Sequence, residues 1–241
     1  MSLGIIGGMG PMAGALFQEM IIELTDAKRD QDHLETILFN CPGIPDRTDY
    51  ILGRSAEDPF DQILKIAKKL EELGVSAIAI PCISSAFMRD RLQAELKVPV
   101  LYGISKTARD IKGRRLTRAG IMATEGSLKT GVIQTALEEY GIEPVVPSKE
   151  DTKKIMDLIY RDVKSGRDAD ISLFDEVRDN LIAKGAQTII LGCTELSVIY
   201  RKQHLEGDIT DIMRSLVTES IKTCGKRVKR SDIRYAAAKC S

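Results

Sequence analysis

Two rhythms of apolar residues alternate along the chain. Short unbroken apolar runs occur at Ser2 to Ile6, Thr36 to Phe39, Val75 to Ile80 and Val98 to Tyr102, then again at Gly120 to Ala123, Gly141 to Val146 and Thr188 to Leu191. Between them lie stretches with apolar residues three and four apart, the spacing of one helix face. Ala13 to Thr25 carries Leu16, Met20, Ile21 and Leu24 in this way, Asp61 to Leu73 carries Ile63, Ile66, Ala67 and Leu70, and Thr152 to Lys164 carries Ile155, Leu158, Ile159 and Val163. Further helices are predicted at Ser84 to Leu96, Leu173 to Lys184 and Asp208 to Gly225. Short buried strands alternating with helices imply βαβ units and parallel sheets, hence an α/β fold.

The pattern repeats. Gly74-Val75-Ser76-Ala77-Ile78-Ala79-Ile80-Pro81-Cys82 and Gly185-Ala186-Gln187-Thr188-Ile189-Ile190-Leu191-Gly192-Cys193 each run from a glycine that ends a helix, through a strand, to a cysteine eight residues on. Gly120 to Gly126 echoes Gly4 to Gly10, and at the same offset of 116 residues Gln134 falls on Gln18. The expected architecture is therefore two similar lobes, each a parallel sheet flanked by helices, related by a pseudo-twofold axis and produced by internal duplication. The pattern weakens into a basic stretch from Gly103 to Leu116, which sets the boundary. Residues 1–103 with 210–241 form the expected first lobe, carrying Cys82, and residues 104–209 the second, carrying Cys193.

Composition narrows the class. With 35 basic against 35 acidic residues, the chain as a whole has no electrostatic pull towards nucleic acid or membrane, and the run Lys226-Arg227-Val228-Lys229-Arg230 reads as a solvated terminus. No apolar run reaches the roughly 18–20 residues of a membrane span. The glycine-rich N-terminus lacks a basic leader and reads as a strand and turn. Five widely spaced cysteines (Cys41, Cys82, Cys193, Cys224, Cys240) argue against a disulfide framework and for a reduced, cytoplasmic protein. Two isolated histidines, His33 and His204, give no zinc pattern. Gly8-Met9-Gly10-Pro11-Met12-Ala13 fits a dinucleotide-type glycine loop, but the strand that follows ends in Asn40 and Cys41 instead of the acidic residue such a site requires.

The matched cysteines carry the chemistry. A thiol where a strand gives way to a helix meets unsatisfied N–H groups and the helix dipole, which lower its pKa from about 8.5. If the lobes face one another, two thiols reach one cleft from opposite sides. Two bases on opposite faces of one carbon are what inversion of a C–H stereocentre requires, one accepting a proton as thiolate while the other donates one as thiol. Proton removal next to a carboxylate also needs cations and oriented donors. Arg47, Lys164, Thr124, Ser127 and Thr194 stand at loops or helix ends able to supply them, as do Ser84 and Ser85 after Cys82.

Gly7-Gly8-Met9-Gly10-Pro11, Ile44-Pro45-Asp46-Arg47-Thr48, Pro81-Cys82, Ala123-Thr124-Glu125-Gly126 and Gly192-Cys193-Thr194-Glu195 resemble, in this order, the motifs of the cofactor-independent aspartate/glutamate racemase family, the aspartate racemase branch in particular. The resemblance spans about residues 3 to 200. It implies an isomerase that is a homodimer of two-lobed subunits, acts on a small amino-acid or dicarboxylate substrate, and uses neither pyridoxal phosphate nor metal. It makes Cys82 and Cys193 the acid/base thiols, with Cys193 acting on the L-enantiomer and Cys82 on the D-enantiomer. Arg47 and Lys164 become carboxylate-binding cations, and Met9, Thr124 and Thr194 pocket residues. Glu195 stands where glutamate racemases usually carry histidine.

Two positions depart from that family. After Cys82 the chain reads Ile83-Ser84-Ser85-Ala86 where Asn-Thr-Ala-His is common, and Gly14 stands where threonine is usual. Both bear on substrate identity more than on two-thiol chemistry. Glutamate, another small carboxylate such as maleate or a hydantoin, and a nucleotide- or metabolite-binding module using the Gly7–Gly10 loop stay open as alternatives.

Overall fold

A computed structural model of the chain describes residues 1–203 and 205–229; His204, Arg230 and Cys240 lie outside the described residues. Eight strands form two four-stranded parallel sheets. In the first, β1 (Ser2–Gly7), β2 (Glu35–Asn40), β3 (Ala77–Ala79) and β4 (Val100–Leu101) are ordered β2-β1-β3-β4. In the second, β5 (Arg118–Met122), β6 (Glu143–Val145), β7 (Thr188–Leu191) and β8 (Ile209–Asp211) are ordered β6-β5-β7-β8. The two orders are the same when the second half is renumbered from its own start, as duplication predicts.

The duplication extends to packing. Gly4 pairs with Ile37 and Ile78 at the centre of the first sheet, and Gly120 with Val145 and Ile189 at the centre of the second. A Cβ at Gly4 would lie 3.0 Å from Leu70 Cδ1, and one at Gly120 would lie 2.9 Å from Ile189 Cδ1 and 3.2 Å from Leu181 Cβ. Glycine therefore lets the helices Phe60–Glu72 and Ile171–Ala183 close onto their sheets. Leu70 and Leu181 each precede by four residues the glycine that ends the helix, Gly74 (φ 77°) or Gly185 (φ 94°), both left-handed, where a side chain is strained.

Several segments differ from the periodicity reading, among them Ile209–Asp211, read as the start of the last helix but paired with β7 as β8. The basic stretch after Gly103 is a helix, Ile104–Gly113, whose Ala108 and Ile111 are buried against the second lobe. The segment predicted as a helix from Ser84 begins as a 3-10 turn, Ile83–Met88, before turning α-helical at Arg89–Glu95. The helix Lys149–Met156 widens into a π-type stretch, Asp157–Asp162, and ends in one tight turn, Val163–Ser165. Such widening re-aims side chains and recurs at functional sites; here it carries Tyr160 and leads into the turn that carries Lys164.

The last helix, Ile212–Thr223, follows β8 of the second sheet, but its Met213, Leu216, Val217 and Ile221 share a core with Leu3, Ile5 and Phe17 of the first. A second join is Ile83, which is 2% exposed and packs with Ala108, Ile121, Ile133 and Ile212. The lobes are thus fastened behind the cleft by apolar contact. No helix among the described residues is long and apolar enough to cross a membrane.

Candidate active site

The two cysteines occupy matching positions. Cys82 leaves β3 in an extended conformation (φ −147°) and caps the 3-10 turn, its carbonyl accepting from Ser85 N (3.1 Å) and Ser85 Oγ (2.7 Å). Cys193 leaves β7 extended (φ −144°) and caps the helix Thr194–Lys202, its carbonyl accepting from Leu196 N at 3.0 Å. Both are nearly buried, at 4% and 7% exposure, and both line a single cavity between the lobes. The free space there is about 10 Å³, room for roughly one water.

Each lobe supplies polar groups to this cavity. On the Cys82 side, the hydroxyls of Ser84, Thr124 and Ser127 form a closed triangle: Ser84 lies 3.0 Å from Thr124 and 2.9 Å from Ser127, which are 3.0 Å apart. All three are buried. Three hydroxyls carry three protons among them, so the triangle can turn donors towards an incoming acceptor without breaking backbone structure. Ser85 faces away, bonded to the Cys82 carbonyl and near the Tyr102 hydroxyl.

Arg47, expected at a loop or helix end, opens a short helix, Arg47–Leu52. Asp46 caps it, accepting from Thr48 N (2.8 Å) and Asp49 N (3.1 Å). The same carboxylate accepts from the Tyr160 hydroxyl (3.1 Å) and from Lys164 Nζ (3.2 Å), so it joins the lobes across the cleft. Lys164 Nζ also sits 3.9 Å over the Tyr160 ring. Burial opposes the charge on Asp46, but Lys164, the Asp49 N–H and Arg47 outweigh it and hold the carboxyl below its usual range. Burial likewise works against Lys164, yet Glu195, Tyr160 and Asp46 keep it charged, with its pKa raised. Burial raises Tyr160 to about 12, so it is a donor at all ordinary pH.

Arg47 is 6% exposed. Its Nη1 donates to the carbonyls of Pro45 (2.7 Å) and Ile44 (3.2 Å), and its Nε has no partner. Desolvation works against this buried cation, but the neighbouring Cys82 and Asp46 favour its charge and raise its pKa.

At Cys193 the surroundings are reversed. Its thiol donates to Glu195 Oε2 at 3.0 Å, and the same oxygen accepts from Thr194 Oγ1 at 3.3 Å. Glu195 Oε1 accepts from Gly10 N at 3.2 Å, so the last amide of the glycine loop before Pro11 is spent on a carboxylate of the other lobe. Burial first, and the Glu195 carboxylate second, push the Cys193 thiol well above its ordinary pKa. The lowering expected from its helix N-terminus is outweighed, because a buried carboxylate two residues on bears directly on the sulfur. The two thiols thus face different partners, a guanidinium at Cys82 and a carboxylate at Cys193.

The expected residues Met9, Arg47, Ser84, Thr124, Lys164 and Thr194 line the cavity with both cysteines, and Ser127 backs it through the hydroxyl triangle. Asp46, Thr48, Ile83, Tyr160 and Glu195 complete it without having been singled out for a role. Tyr160 is legible in retrospect, four residues before Lys164 on a helical stretch. Among the described residues, no three His, Cys, Asp or Glu side chains converge to hold a metal ion.

Residues 6–219 match the profile of the family described as Asp/Glu/Hydantoin racemase, and the chain belongs to that family of isomerases. Its fold superposes with a TM-score of 0.83 on the aspartate racemase of Picrophilus torridus, at 29% identity over 96% of this chain and 97% of that one. It is 25% identical over 92% of its length to the broad specificity amino-acid racemase RacX of Bacillus subtilis, covering 97% of that protein. A glutamate racemase of Persephonella marina is 24% identical over 62% of this chain and 61% of its own.

Proposed function

We propose that this racemase inverts the Cα of an amino acid by two-base proton transfer between Cys82 and Cys193, without cofactor. The observation that carries the reading is that both thiols line one cavity from corresponding strand ends of the two lobes. In one direction a thiolate takes the Cα proton, breaking the C–H bond and leaving its electron pair delocalised into the carboxylate. The opposite thiol then gives its proton to the other face of Cα. The negative charge that develops on the carboxylate meets Arg47 and the Ser84–Thr124–Ser127 hydroxyls, donors already in place.

The unequal surroundings divide the roles. Cys193, kept protonated by burial and Glu195, is the proton donor of the resting form. Cys82, beside Arg47, is then the base of that form, which takes up the D-enantiomer. Removal of the proton from the L-enantiomer falls to Cys193 in the complementary form. Lys164 is paired with Asp46 and shapes the cleft mouth more than it binds the carboxylate.

The likeness to an aspartate racemase, with Glu195 in the place of histidine, makes aspartate the first substrate to test. The likeness to a broad-specificity relative favours a wider range as the second reading. A homodimer in the cytoplasm is part of the proposal. Incubation of single enantiomers in D2O tests it: deuterium at Cα together with loss of optical rotation is expected. If no amino acid exchanges its Cα hydrogen, the racemase assignment of this chain fails.

A further inference from the structure

Beside the thiol cavity lies a much larger space, about 510 Å³, that reaches the surface. The two are adjacent, sharing Met9, Asp46, Arg47, Lys164 and Glu195 in their walls. Beyond those shared residues the wall is largely apolar, built from Met12, Ile44, Val163 and Val198 with Pro11 and Pro42. Met12 is 57% exposed at its rim.

The donors around the thiols decide which substrate fits such a space. A dicarboxylate needs two cationic or strongly donating sites; an amino acid with an apolar side chain needs one. Lys164 Nζ is committed to Asp46 and lies over the Tyr160 ring. Arg47 commits Nη1 to two carbonyls and leaves Nε, buried, with no partner. A buried donor without an acceptor is costly, and a bound carboxylate relieves it. One such guanidinium donor suits one carboxylate, the α-carboxylate that the reaction requires. Asp46 and Glu195 balance the two cations, so a second carboxylate would meet no net positive charge.

We infer that the substrate's side chain extends past Met9 into the apolar chamber, and that the preferred substrates are amino acids with unbranched or branched apolar side chains longer than that of alanine. The inference rests on the two-thiol racemase reading but not on aspartate as its substrate. Each added methylene buried against such a wall is worth about tenfold or more in kcat/KM.

The test is a panel of single enantiomers (alanine, norleucine, leucine, methionine, aspartate and glutamate) with the intact protein in D2O, following deuterium at Cα and kcat/KM. Norleucine and methionine are expected to exceed alanine at least tenfold, and to exceed aspartate. Met12→Asp puts a carboxylate in the exposed rim of the chamber, where folding tolerates it, and is expected to lower the norleucine-to-alanine ratio about tenfold. Exchange of aspartate alone, or a ratio that Met12→Asp leaves unmoved, overturns the inference while leaving the racemase reading standing. Exchange of no amino acid overturns both.

Discussion

The thiol of Cys193 donates a hydrogen bond to Oε2 of Glu195 at 3.0 Å, and the other oxygen of that carboxylate receives the amide of Gly10 from the opposite lobe. One carboxylate therefore adds to burial in keeping a thiol protonated and ties the lobes together. Glu195→Gln keeps an acceptor for Gly10 and removes the negative charge. Because the carboxylate raises the thiol's pKa, the limb of the kcat–pH profile that reports Cys193 is expected to move to lower pH. An unmoved limb would mean that Glu195 is structural only.

Asp46 has two separable duties, as helix cap and as interlobe acceptor. Asp46→Ala loses both and should cost about 1–2 kcal/mol in urea denaturation. Asp46→Asn retains the cap, since asparagine caps as well as aspartate, and should recover most of that loss while still weakening the contact to Lys164.

Ile83 occupies the place of an asparagine in the resembling family, and it is buried among apolar residues of the second lobe. Reintroducing the amide by Ile83→Asn leaves polar atoms in an apolar cluster and removes packing. The expected loss is about 2–4 kcal/mol of stability, read as a lower denaturation midpoint. Equal stability would show that the turn can rotate to solvate the amide.

How much of this was legible in the sequence depends on the kind of information. The duplication, the parallel sheets and the paired cysteines follow from spacing alone, because Gly74 and Gly185 punctuate two identical helix–strand–cysteine runs. The short helix after Asp46 was hidden by Pro42 and Pro45, and only the Asp-x-x-Asp cap betrays it. The helix Ile104–Gly113 was hidden by its basic face, although Ile104, Ala108 and Ile111 have helical spacing. The partners of Arg47, Lys164 and Cys193 were not legible. Asp46 and Lys164 are 118 residues apart, and no local rule connects them.

Asp211 lies outside the site, buried between the helix that follows Cys193 and the helix returning to the first lobe. It accepts from Ser197 Oγ (2.7 Å) and Met213 N (2.9 Å). Burial raises its pKa from 3.8 to about 6. The folded protein thus holds this proton more tightly than the unfolded chain. The group's stabilisation is complete below about pH 4 and is lost as pH rises through about 6, up to about 3 kcal/mol. Asp211→Asn keeps both hydrogen bonds and should abolish this component, so the stability difference between variant and wild type should change across pH 4 to 6 and be flat above it.

The central claim, two thiols acting on opposite faces of one carbon, is tested most directly by Cα hydrogen exchange in Cys82→Ala and Cys193→Ala, each with a single enantiomer in D2O. Both variants should lose racemisation by at least about a thousandfold, because inversion needs both faces. Cys193→Ala should still exchange hydrogen on the D-enantiomer with retention, and Cys82→Ala on the L-enantiomer. Racemisation that survives the loss of either thiol would contradict the account.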